Sequence, residues 1–179
     1  TKFIAGASET AIILESGNIE INGCEFEGFG NDDMMDDNPN TLRAAIEDDV
    51  IDLNTYESIS ILSNIFTNNE RSIALKGVKE NAFGDAAFML SYNTFQNDDI
   101  FLEQNDYELS TALYLSNIQG DISVNDNDIQ NSHFSIFGKV GFGSGGVINN
   151  NLFSTTFNED SLGYSGLATL VLGTMNGIQ

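Results

Sequence analysis

The sequence predicts an all-β chain wound into a right-handed parallel β-helix, a solenoid of about five to seven coils with three short strands per coil. Three observations support this prediction. One pattern of apolar residues and asparagine recurs five times along the chain. The chain holds 22 Asn and 17 Gly but a single Pro, a composition suited to many tight corners. Its single cysteine cannot form an internal disulfide, so an apolar core must provide the stability.

The repeat consists of two alternating apolar residues, a polar corner and a further apolar position. Ile59 and Ile61 are two residues apart, so both point to the same side of a strand. The offset from Ile61 to Phe66 is odd, so both can face inward only if the chain turns a corner around Asn64. The five copies of this pattern lie at 19–28, 59–68, 88–97, 122–131 and 146–155.

Asparagine suits the corner because it accepts the left-handed backbone conformation. Stacked copies at Asn64, Asn93, Asn127 and Asn151 are expected to hydrogen-bond to one another as an amide ladder. The inward residues are predicted to be buried and stacked coil on coil. They are Ile61, Phe66, Leu90, Phe95, Val124, Ile129, Ile148 and Phe153.

A third strand is predicted after a second polar corner. Successive first corners are 40, 29, 34 and 24 residues apart, so the longer coils must carry inserted loops. Segment 41–53 fits a short helix with Thr41 as its N-cap, and it fits equally the missing third strand of its coil. The predicted third strands contain Ile73 and Leu75, Ile100 and Leu102, and Phe134 and Ile136. The loops are expected after them, along one edge, at 29–57, 76–87, 103–121 and 138–145.

The charge of the chain excludes several partners. Six Lys and Arg against 27 Asp and Glu give a net charge of −21, which disfavours nucleic acid and anionic membranes. A hydrophobic content of 41% excludes an acidic disordered tail. No apolar run reaches the roughly 20 residues that span a bilayer, so no membrane insertion is expected.

The whole of 1–179 is interpreted as one β-helix domain. It starts with neither a signal peptide nor a methionine, and strand-like sequence lies near both ends, at 11–14 and in the closing ATLVLG. Uncapped coils expose unpaired backbone groups. We therefore expect a segment of a longer protein or a stacking subunit, with self-association or neighbouring domains of the same protein as partners.

The consensus I-x-I-x-x-N-x-F-x-N resembles the repeat of the pectate-lyase-like superfamily. That superfamily includes polysaccharide lyases, glycoside hydrolases, phage tailspikes and adhesins, so the resemblance implies an architecture and no single chemistry. The lyases imply calcium-binding carboxylates and a proton-accepting basic residue, but Arg71, Lys76 and Lys79 lie in no matching motif. Polygalacturonases imply a His-Gly pair and an Arg-x-Lys run. Here His133 is followed by phenylalanine, and no Arg-x-Lys run occurs.

Alignment of the predicted third strands places their outward residues in columns. Ser72, Asp99 and His133 form one column with the residue types of a catalytic triad. The order is wrong, because a triad needs histidine in the middle. A solvated histidine beside a carboxylate is the simpler interpretation, so no catalytic residue is assigned. The alternative acid–base set is Lys76, Asp99, Glu103 and His133.

Two phenylalanines occupy outward positions of the predicted third strands, where polar residues are expected. Exposed aromatic rings can stack on the apolar faces of sugars, which makes Phe101 and Phe137 candidate carbohydrate-binding residues. Coverage of these rings by adjacent loops is the other interpretation.

The acidic segment 31–40 supplies Asp32, Asp33, Asp36 and Asp37 as candidate calcium ligands. It lacks the glycine and the distant glutamate of an EF-hand loop, so a solvated loop is favoured over a weak calcium site. No cofactor is predicted beyond this calcium alternative. Chelation is expected to leave the thermal midpoint nearly unchanged.

These features predict a non-catalytic structural or adhesive module of a secreted or cell-surface protein, able to assemble end to end. The alternative is a polysaccharide-binding or polysaccharide-degrading β-helix, a lyase or a glycoside hydrolase, with a glycan as its partner.

Overall fold

A computed structural model describes residues 1–6, 10–15, 17–30, 43–48, 56–75, 78–79, 86–98, 111–115, 118–119, 121–132, 134–138, 146–154 and 168–172. All regular secondary structure in these residues is β-strand. The strands in these residues make up one partial coil followed by five complete coils.

The strands follow one another in coil order. The partial coil contributes β1 (Lys2–Ile4) and β2 (Ile12–Leu14). The first complete coil contributes β3 (Gly17–Asn22), β4 (Glu25–Glu27) and β5 (Ile46–Asp48). The second contributes β6 (Tyr56–Leu62), β7 (Ile65–Thr67), β8 (Arg71–Leu75) and the short β9 (Val78–Lys79). The third contributes β10 (Ala86–Ser91), β11 (Thr94–Gln96), β12 (Thr111–Leu115) and β13 (Ile118–Gln119). The last two contribute β14 (Asp121–Asn125), β15 (Asp128–Gln130), β16 (Phe134–Gly138), β17 (Gly146–Asn149), β18 (Leu152–Ser154) and β19 (Ala168–Leu172).

Equivalent strands of successive coils pair in parallel and form three sheets. The first sheet contains β3, β6, β10, β14 and β17, in that order. The second contains β1, β4, β7, β11, β15 and β18, and the third contains β2, β5, β8, β12, β16 and β19. Strands β9 and β13 form a separate parallel pair. This arrangement confirms the predicted all-β, parallel β-helix fold with three strands per coil.

The inward side chains of the coils form one continuous apolar core. Six of the eight residues predicted to be buried are at most 2% exposed, namely Ile61, Phe66, Leu90, Phe95, Val124 and Ile129. Ile148 and Phe153 are only partly buried, although both pack against the core. The reason is their position, since β17 and β18 are edge strands of the first and second sheets.

A column of phenylalanines runs through the second sheet. The rings of Phe3, Phe26, Phe66 and Phe95 stack face to face, with centroid separations of 5.0, 5.0 and 4.7 Å. These separations match the spacing of about 4.8 Å between hydrogen-bonded strands. The register pairs Phe66 with Phe95 and Phe95 with Ile129, so the coils stack without an axial slip.

Two residues form the first corner, between the first and second strands of each complete coil. The first of the two has the left-handed conformation in every coil, with φ between 53° and 64° at Gly23, Ser63, Tyr92, Asp126 and Asn150. The sequence-based assignment of this conformation to Asn64 and its equivalents is therefore wrong, because the preceding residue makes the turn.

The second residue of the corner builds the predicted amide ladder, which is confirmed. Asn64 Nδ2 donates to Asn93 Oδ1 (3.0 Å), Asn93 Nδ2 to Asn127 Oδ1 (3.0 Å), and Asn127 Nδ2 to Asn151 Oδ1 (2.8 Å). Each of these oxygens also accepts a hydrogen bond from the backbone N–H of the ladder asparagine in the preceding coil. Asn64 Oδ1 accepts the corresponding bond from the backbone N–H of Cys24. The amide nitrogens donate in addition to backbone carbonyls of the preceding coil, those of Ile21, Ile61, Leu90 and Val124.

The third strand of the third complete coil differs from the prediction. Strand β12 pairs with β8, with Leu113 opposite Ile73 and Leu115 opposite Leu75. The assignment of Ile100 and Leu102 to this strand is wrong, because an insertion precedes β12 and TALYL carries the inward alternation instead. The predicted outward column that places Asp99 between Ser72 and His133 is therefore wrong, because β12 lies between β8 and β16.

The longest insertions also occupy another place in the coil than expected, although 31–42 and part of 99–110 fall inside the predicted loop segments. In the first, third and fifth coils they join the second strand to the third, at 31–42, 99–110 and 155–167, and do not follow the third strand. Segment 41–53 holds the third strand of its coil, since β5 pairs with both β2 and β8. The helical alternative for this segment is thus excluded at β5.

Truncation of the phenylalanine column should be strongly destabilising. Phe95→Ala should lower the free energy of unfolding by about 3–5 kcal/mol, because it opens a cavity in a site that is 2% exposed. The neighbouring exposed Gln96→Ala is the matched control and should change it by less than about 0.5 kcal/mol. Urea denaturation measures both, and equal effects of the two variants would contradict the stacked core.

Candidate functional site

Most residues singled out in the sequence lie outside the described part of the chain. Of Phe137 only the backbone is described, on β16, where it pairs with Tyr114 and Val171. The predicted acid–base and calcium-binding roles therefore stay predictions. Outside the described residues lie Asp32, Asp33, Asp36, Asp37, Lys76, Asp99, Phe101, Glu103 and His133.

The outer face of the third sheet is covered at β8 and β12. Ser72 was expected to face solvent but is only 4% exposed, and Ala74, on the same side of β8, is completely buried. Ala74 packs with Ala44 and Tyr114 in a second apolar cluster, separate from the core. The expectation was wrong because alternation shows which side of a sheet a residue faces and not whether that side is covered.

A buried arginine lies at the start of β8. Arg71 is 3% exposed, and its guanidinium donates to the backbone carbonyl of Arg43 (2.9 Å). Arg43 in turn forms an ion pair with the buried Glu47 on β5 (3.0 Å). These contacts tie the chain that enters β5 to the next coil, so Arg71 has a structural role.

The outer face of the first sheet carries an open groove of about 670 Å³. It runs beside the first corner across all five complete coils. Six serine and asparagine residues line it, together with the exposed apolar side chains of Met89 and Val147. The lining residues are Asn22, Leu62, Ser63, Met89, Ser91, Tyr92, Ser123, Asn125, Asp126, Val147 and Asn149.

Tyr92 stands out among these residues because its backbone is strained and its side chain is exposed. It has a φ of 59°, and 66% of the residue is accessible to solvent. The left-handed conformation costs an L-residue roughly 1–2 kcal/mol, and asparagine and aspartate tolerate it better than bulky residues. The equivalent positions hold Gly23, Ser63, Asp126 and Asn150, all smaller than tyrosine.

The sequence itself carries a signal for Tyr92. Aligning the residue before each ladder position gives glycine, serine, tyrosine, aspartate and asparagine. A single large aromatic residue in a column of small turn-forming residues is out of place at a tight corner. This column, and not the ladder asparagine, holds the left-handed conformation, so the exception has a meaning only once the turning residue is known.

One lysine of the described surface forms ion pairs with two glutamates. Lys2 bridges Glu27 (2.8 Å) and Glu25 (3.8 Å) of the next coil, and the hydrogen bond to Glu27 raises the pKa of the Lys2 ammonium group. Among the described residues, no group of three or more His, Cys, Asp or Glu side chains is placed to hold a metal ion. The same residues contain no helix of the length and apolarity that a membrane span requires.

Comparisons with models of known protein families, with curated proteins and with solved structures return no match to this chain. The resemblance of its repeat to the pectate-lyase-like superfamily therefore stays a prediction.

Relief of the strain at Tyr92 should stabilise the fold. Tyr92→Asn should raise the free energy of unfolding by about 1 kcal/mol, because asparagine tolerates the left-handed conformation and the exposed ring contributes little burial. Tyr92→Ala removes the ring without relieving the backbone and should be nearly neutral. Urea denaturation of both variants distinguishes these effects, and destabilisation by Tyr92→Asn would show that the ring packs against the protein.

Proposed function

We propose that this chain is a non-catalytic structural or adhesive β-helix module of a secreted or cell-surface protein. The observation that supports the proposal is the continuity of the axial interactions. The phenylalanine stack begins in the partial coil and reaches the third complete coil, and the amide ladder carries on to the fifth. A solenoid whose coils are joined in this way is suited to act as a rigid spacer.

The strong negative charge of the chain fits a module that is exposed to solvent. A net charge of −21 opposes side-by-side association of copies. At the ends of the solenoid a partner can offset this repulsion, because a neighbouring coil continues the parallel pairing there.

The end of the solenoid at β17 and β18 has the features of an axial contact. Both strands lie at sheet edges, and Ile148 and Phe153 are only partly covered. A further coil placed on this edge would pair its backbone groups and bury both side chains. We propose that in the isolated 179-residue chain a second copy takes this place, in a head-to-tail contact that extends to a filament.

Axial association should strengthen with salt. At about 1 M salt the Debye length falls to about 3 Å, so the repulsion between acidic copies is screened. Sedimentation velocity across a salt series should show growing assemblies, and calcium should act in the same direction. Phe153→Asp should weaken the assembly, whereas Gln96→Asp adds the same charge on a side face and should leave it largely intact. A monomer at every salt concentration would refute axial association.

Saccharide binding is the second candidate function, and the groove beside Tyr92 favours it. Polysaccharide degradation would need the predicted set of Lys76, Asp99, Glu103 and His133, or other residues outside the described part. The covered outer face at Ser72 and Ala74 gives such chemistry no open surface on β8.

A further inference from the structure

We propose that the groove on the first sheet binds an uncharged glycan chain, with the ring of Tyr92 as its stacking surface. The proposal rests on the saccharide-binding alternative and gives it a site and a ligand class. It does not depend on axial association, which involves the coil edges and not this face.

Tyr92 carries the first part of the argument. A tight left-handed corner favours a small residue, yet this coil presents a ring to solvent there. Strained residues persist where the surrounding structure holds them, and they are concentrated at functional sites. The flanking two-residue corner and the ladder bonds of Asn93 hold Tyr92 in place. The backbone at Tyr92 is thus fixed, and the exposed ring is not part of the core.

The polar lining carries the second part. Serine hydroxyls and asparagine amides each provide both donors and acceptors, which matches the hydroxyl groups of a sugar. Asn22, Ser63 and Asn149 are exposed along the groove, on the first, second and fifth complete coils. Asn125 Nδ2 donates to Ser123 Oγ (2.6 Å), so these two side chains are already fixed relative to each other.

Charge selects among glycans. Asp126 is the one ionisable acid among the lining residues, and no lysine, arginine or histidine lines the groove. A uronate or a sulfated sugar would find no cation here and would be repelled by a chain of net charge −21. The groove therefore suits a neutral glycan.

The shape of the groove indicates an extended ligand. It is open and crosses five coils, which at a strand spacing of about 4.8 Å corresponds to about 19 Å along the axis. Met89 and Tyr92 lie on the third complete coil and Val147 on the fifth, so exposed apolar surface occurs at two levels about 10 Å apart along the axis. These surfaces can contact the apolar faces of successive sugar units while the serines and asparagines bind their hydroxyl groups.

Calorimetric titration of the 179-residue chain tests the proposal. Neutral glucan, mannan and N-acetylglucosamine oligosaccharides are compared with an oligogalacturonate. We expect at least one neutral series to bind and the oligogalacturonate to fail. Tyr92→Ala should weaken the binding by about tenfold, the size of one aromatic contact, whereas Tyr92→Phe should retain it within about twofold.

Two further variants separate binding from folding. Tyr92→Asn should lose binding although its fold is intact, and Ile65→Ala, which removes an exposed apolar side chain from the second sheet, should bind as the parent does. The proposal is overturned if no neutral oligosaccharide binds, if Tyr92→Ala binds undiminished, or if only the oligogalacturonate binds. None of these results would affect the salt-dependent sedimentation, so the structural role is judged separately.

Discussion

The asparagine ladder is the constraint on which the rest of this solenoid depends. Its side chains are almost completely buried, at 1% exposure for Asn64 and Asn93 and 2% for Asn127. A buried amide must satisfy its donors and acceptor within the protein, because an unpaired group costs about 1–3 kcal/mol. Here that requirement is met only when each coil lies directly over the last. The ladder therefore fixes the axial register, and the phenylalanine stack follows from it.

The same constraint explains where the chain varies and where it does not. Coil length ranges from 24 to 40 residues between ladder positions, but the first corner contains two residues in every complete coil. An insertion there would break the hydrogen bonds to the neighbouring coils, whereas an insertion between the second and third strands leaves them intact. The outer face beside the ladder thus stays regular. This regularity is what allows a groove to run across five coils.

The sequence was sufficient to predict the inward residues of the first and second strands and the ladder asparagine between them. Ile61, Asn64 and Phe66 recur at constant offsets because no insertion separates them. The third strand was predicted correctly at Ile73 but wrongly at Ile100. An insertion of unknown length removes the constant offset from the second strand, and apolar residues alternate both at 100–102 and in TALYL at 111–115. The sequence analysis did not single out Tyr92, because the left-handed conformation occurs at the residue before the asparagine. The periodicity of apolar residues does not show which of the two corner residues has this conformation.

The central claim, that buried amides couple one coil to the next, is tested most directly by a double-mutant cycle on adjacent ladder positions. Asn93→Ala and Asn127→Ala remove two side chains that share a hydrogen bond of 3.0 Å. In urea denaturation, the double variant should lose less stability than the sum of the single variants, by at least about 1 kcal/mol. Losses that add to within about 0.5 kcal/mol would show that the rungs act independently and would contradict the account.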